Sequence, residues 1–167
     1  MNLKEIVDLC KAGRADEAYA AALADHSAAP DDRYALVGLA YGTKAMMEKA
    51  VADGDADALA RFIKEYGALR LEEIGEADLN NRAAWEIRAM ILKWKDAGGF
   101  DMQKVDLLFD AATTVAFVKP HRYYSVILDA FLKIKDDKGL PWHRLPEFVA
   151  WWGLENLLPE DYERVML

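Results

Sequence analysis

Asp53, Asp55 and Asp57 alternate in the stretch DGDADALARFIKE, and alternating carboxylates are the first half of a calcium loop. Such a loop also needs glycine at its sixth position and a bidentate glutamate at its twelfth. Counted from Asp53, those positions hold Ala58 and Lys64, so the spacing does not make a calcium site. The aspartates read instead as turn formers, with Asp55 or Asp57 capping a following helix and favouring its dipole. His26, His121 and His143 show no metal-ligand spacing. If one straight helix joins the last two, it holds them roughly 20 Å or more apart. Ser125 lies one turn after His121, within reach on a helix. The nucleophile elbow, oxyanion glycines and orienting acid of a hydrolase are missing around it, and a helical serine ordinarily bonds its own i−4 carbonyl. Glu72, Glu73, Glu76 and Asp78 crowd one polar segment as a solvated face, not as two acids in opposed environments. AGGF, at 97–100, is a helix stop with no phosphate-loop context. The residues thus point to a non-catalytic protein with no metal and no cofactor.

What remains is aromatic. In FVAWWGLENLLPEDY, helical spacing puts Leu145, Phe148, Val149 and Trp152 on one face, which is the face to bury. Trp151 falls at the border of that face, where a tryptophan either packs under the tail or meets a partner. Tyr123 turns away from the apolar face of its helix, beside Lys119 and Arg122. An aromatic beside basic groups suits an acidic peptide or a base of single-stranded nucleic acid. Trp142, in the turn DDKGLPW, completes the candidate partner-binding residues: Trp151, Tyr123, Arg122, Lys119 and Trp142.

The elements that must carry these residues are helical throughout. Alanine is abundant, the five prolines fall at segment edges, and no alternating strand pattern persists. The apolar spacing predicts helices over 2–11, 14–26, 32–52, 56–68, 81–97, 102–118, 120–136, 144–152 and 159–165. Gly13, Pro30 and Gly54 punctuate the first four. The helix over 81–97 is apolar on most sides through Ala84, Trp85, Ile87, Ile91, Leu92 and Trp94, the pattern of a central helix. The expectation is one all-α domain over 1–167, divisible into repeat-like helix pairs (1–78) and a C-terminal helical part (79–167).

Length, 53% hydrophobic and 30% charged residues suffice for a packed core. The net charge of −8 is uneven. Residues 1–81 hold 9 basic and 16 acidic groups, and residues 82–167 hold 12 and 13. An acidic chain repels a phosphate backbone, although residues 119–144 form a local strip of net +3. The only apolar run near the N-terminus contains charges, unlike a signal peptide. No stretch approaches a membrane span. Cys10 is the single cysteine and sits in an apolar helical pattern with Ile6 and Val7, as a small buried hydrophobe would. A reduced, cytoplasmic setting fits.

Gly13, Ala18, Ala22 and Pro30 stand at the spacings of the second half of a tetratricopeptide repeat. Leu36, Leu39 and Ala40 match the start of another, with Gly54, Ala58 and Phe62 as its second half. Residues 1–66 therefore resemble tetratricopeptide repeats. They depart from the family at Leu36, where an aromatic is usual, and at Asp25, where alanine is preferred. The inner helix of the second unit is also about seven residues too long for the 34-residue repeat. The second half of the chain does not follow the pattern. The resemblance implies helix pairs stacked as a right-handed solenoid, the alternative being a compact helical bundle. It further implies a scaffold that binds a peptide, a protein or a second copy of itself in a concave groove, and no chemistry. A nucleic-acid-associated regulator using the strip at 119–144 is the second functional expectation.

Overall fold

In a computed structural model, five helices follow one another along the described part of the chain, which comprises residues 2–71, 79–96, 103, 104, 107, 108 and 111. No strand occurs among the described residues. The chain forms two compact units, Met1–Leu79 and Asn80–Leu167.

The first unit is built from four helices. α1 (Leu3–Lys11) starts at Asn2, whose Oδ1 accepts the Glu5 N–H at 2.9 Å. It stops at Gly13, which takes the left-handed conformation (φ 76°) that a side chain would strain. Two hydrogen bonds close the turn. The Gly13 N–H donates to the Cys10 carbonyl at 3.1 Å and the Arg14 N–H to Leu9 at 3.0 Å, so the last carbonyls of α1 keep partners. α2 (Ala15–Ala28) begins one residue later and packs against α1.

The same device recurs between α3 (Arg33–Asp53) and α4 (Ala56–Ala68). Gly54 is left-handed (φ 69°), its N–H bonds Val51 at 3.1 Å and the Asp55 N–H bonds Ala50 at 2.9 Å. Asp55 then caps α4 by accepting the Ala58 N–H at 3.0 Å, which settles the choice between Asp55 and Asp57. Asp53 closes α3 and Asp57 lies in the first turn of α4, a position its charge favours.

α3 is the hub of this unit and packs against α1, α2 and α4. Its contact with α2 is close because Gly42 faces the α2 backbone. A Cβ at that position would lie 2.9 Å from Tyr19 Cα and 3.3 Å from the Ala18 carbonyl oxygen. Alanines on the facing helix, Ala18 and Ala22, are completely buried and keep the crossing tight. Thr43 beside this crossing returns its hydroxyl to the Leu39 carbonyl at 2.7 Å, so its buried oxygen is satisfied. Ile6, Ala18, Ala22 and Leu39 form one buried cluster, bordered by Leu9, Cys10, Tyr19 and Leu69. Met47, Leu59 and Ile63 are fully buried as well. Leu36 and Met46 are only half-buried, while Gly38, Gly42, Thr43 and Ala45 take the interior positions.

α5 (Leu79–Asp96) belongs to the second unit from Asn80 onward. Ile87 and Ile91 are fully buried, as the pattern predicts, and so is Met90, outside that pattern, while Leu92 and Trp94 are half-buried. Trp85 departs from it and is 52% exposed. The Arg88 guanidinium lies over its ring, 5.3 Å from the centroid, an arrangement that lets an indole stay at the surface. The buried carboxylate of Glu86 faces Arg82 at 3.7 Å.

Candidate functional site

Three helix ends meet in the first unit: the start of α1, the end of α2 and the start of α3. Ala22, Ala28, Ala29, Ala35 and Gly38 stand where they meet, and none carries a side chain beyond Cβ. The missing volume leaves a groove of about 640 Å³. Leu3 and Ile6 form its apolar wall on the α1 side, close enough that a Cβ on Gly38 would touch both at 3.8 Å. Lys4, Asp25, Asp32 and Tyr34 stand around it.

The groove is framed by local chemistry already needed to start the helices. Asp32 caps α3, accepting the Tyr34 N–H through Oδ1 at 2.9 Å. The Asp32 N–H in turn donates to the Ala29 carbonyl at 3.1 Å, which closes the α2–α3 turn around Pro30. Tyr34, two residues after Asp32, is 70% exposed. Tyr41, seven residues on and therefore on the same side of α3, is 42% exposed. The two aromatics are separated by about 10 Å along the helix. Cys10 of α1 also reaches α3, its thiol donating to the Tyr41 carbonyl oxygen at 3.6 Å. Cys10 is half-buried, where the sequence pattern suggested full burial. Partial burial and, next, the nearby Glu48 carboxylate push its thiol pKa upward, which disfavours the reactive thiolate.

Away from the groove, Tyr19 ties α2 to α4. Its ring meets Phe62 edge-on at 5.3 Å and its hydroxyl donates to Glu65 Oε2 at 2.8 Å. Burial, the hydrogen bond and the charge of Glu65 together raise the Tyr19 pKa. Lys49 bridges to Asp16 at 3.0 Å, an exposed pair that pins the α2–α3 surface and raises the lysine pKa. His26 lies half-buried in the last turn of α2 with Nδ1 enclosed and without a hydrogen-bond partner. Among the described residues no cluster of three or more His, Cys, Asp or Glu side chains is arranged to hold a metal ion. No described helix is long and apolar enough to cross a membrane.

The candidate residues Trp151, Tyr123, Arg122, Lys119 and Trp142 lie outside the described residues, as do His121, Ser125, His143 and the acidic run at 72–78. The groove was not among the sequence candidates. Its signal was present only as small residues at positions that read as helix packing, together with Tyr34, which stands just outside the matched repeat positions. Comparison with protein-family models, with curated proteins and with solved structures found no match to this chain.

Proposed function

We propose that this protein is a non-catalytic interaction module whose first unit docks a protein partner on α3 and the groove at its start. The observation that carries this reading is the pair Tyr34 and Tyr41, 70% and 42% exposed on one side of α3 beside an apolar groove. Tyrosine is a residue type enriched at interface centres. The reading of the helix pairs as a tetratricopeptide-like stack draws support from the recurring glycine turn at Gly13 and Gly54. It is also consistent with α3 packing on both members of the preceding pair.

The test compares wild type with a Tyr34→Ser/Tyr41→Ser double variant. Light scattering over a concentration series measures self-association. Affinity capture, with mass spectrometry and rebuilding of any complex from purified components, measures foreign partners. The expected result is a complex, with itself or another protein, that the folded double variant loses. A wild type that stays monomeric and forms no complex distinct from the variant's would overturn the proposal.

A further inference from the structure

We infer that the groove between α1, α2 and α3 takes a basic amphipathic helical segment of a partner protein, a conclusion that rests on the protein-binding reading above. Two features of the groove select this occupant. Its floor is made of alanines, Gly38, Leu3 and Ile6, which offer no side-chain donor or acceptor. A polar ligand would lose its hydration there and gain nothing back. An apolar side chain loses nothing and fills space that the small residues leave empty. At about 640 Å³ the groove has room for several such side chains, and a helix presents them from one face at spacings of three and four residues.

The rim sets the charge. Among the described residues that line it, Asp32 and Asp25 are acidic and Lys4 is basic. Asp32 spends Oδ1 on the α3 cap, and a carboxylate has further lone pairs for an incoming donor. The unit that holds the groove is acidic overall, since Met1–Leu79 carries 9 basic and 16 acidic side chains. An acidic peptide or a nucleic-acid backbone would meet repulsion at this face, whereas lysines or arginines flanking an apolar stripe would be drawn to it. Tyr34 then closes over the docked helix from the exposed side, the position of an aromatic anchor.

The experiment is a selection on the full chain from a display library of random peptides about 16 residues long, roughly 24 Å as a helix. Individual selected peptides are then measured by fluorescence anisotropy against wild type, Ala35→Trp and Tyr34→Ala. Ala35→Trp fills the groove. Tyr34→Ala removes an exposed ring and keeps the test sound if the tryptophan variant misfolds by circular dichroism. The expected peptides are rich in Lys or Arg and carry Leu or Phe at helical spacing. Their affinity falls roughly tenfold or more on Tyr34→Ala, the scale of losing a central interface aromatic. It also falls as salt is raised. Selected peptides that are neutral or acidic, or that bind both folded variants as well as wild type, overturn this inference and leave the protein-binding reading standing. A selection that enriches no peptide, together with no partner in the capture experiment, overturns both.

Discussion

Gly38 and Gly42 lie one turn apart on α3, and the same substitution acts on them in opposite directions. At Gly38 a methyl group would reach Leu3 and Ile6 at 3.8 Å, ordinary contact distance. Gly38→Ala therefore gains helix propensity without strain, and is expected to stabilise by about 0.5–1 kcal/mol. At Gly42 the methyl group would lie 2.9 Å from Tyr19 Cα, and backbone cannot move aside as a flexible side chain can. Gly42→Ala is expected to destabilise by about 1–3 kcal/mol despite the same propensity gain. Urea denaturation followed by circular dichroism checks the signs, and equal effects at the two sites would contradict the close α2–α3 approach. Nothing in the sequence separates these glycines, because the atom that distinguishes them belongs to a helix some twenty residues earlier. Tyr19 makes a second residue-scale case. Its hydrogen bond to Glu65 is worth about 0.5–1.5 kcal/mol at neutral pH, which Tyr19→Phe should remove while keeping the Phe62 contact. Because folding raises the tyrosine pKa, the contribution is complete below the unfolded value near 10 and is lost as pH rises through the higher folded value. The stability gap between wild type and Tyr19→Phe should thus shrink in alkaline denaturation series. A gap that widens above pH ~10 would show the sign to be wrong.

At the scale of elements, the ends of the first four helices were readable because their signals are local. Gly13, Gly54, Pro30 and the aspartates before α3 and α4 act through their own backbone or the next turn, so one sequence window contains both partners of each interaction. The expected and observed boundaries differ by two residues at most in these helices. Interior positions were less readable. Trp85 belongs to the apolar pattern of its helix, yet it stands 52% exposed with the Arg88 guanidinium, one turn on, over its ring. The groove is the extreme case, since it exists only where three separate helix ends converge. The local devices can be broken one at a time. Asp55→Ala removes the acceptor of the Ala58 N–H and should cost about 1 kcal/mol. Gly13→Ala should cost about 1–2 kcal/mol through its φ of 76° alone, since nothing lies within 4 Å of the added methyl group. Gly13→Asn should recover part of that loss, because asparagine tolerates the left-handed region. Thermal melts of the three variants give the order, and an asparagine no better than alanine would mean that side-chain packing governs the turn.

On the scale of the whole molecule, charge and packing divide together. Met1–Leu79 carries a net −7 and Asn80–Leu167 a net −1. The first unit also holds a buried cluster drawn from three of its own helices, Ile6, Ala18, Ala22 and Leu39, with Leu69 packed against it from beyond α4. A chain of that length buries about 60% of the surface it exposes when unfolded, enough to fold alone when its helices are capped and its turns closed. Residues 1–79 expressed alone should therefore be helical and melt in one cooperative transition. Ile6→Ala, which empties a side chain only 1% exposed, should lower the stability of the fragment by about 2–5 kcal/mol. A fragment that is helical but melts without cooperativity would mean that its core depends on residues beyond 79. A cooperative fragment would let the groove and its acidic rim be titrated free of the second unit. Its affinity for a basic peptide would then measure what α1, α2 and α3 contribute by themselves.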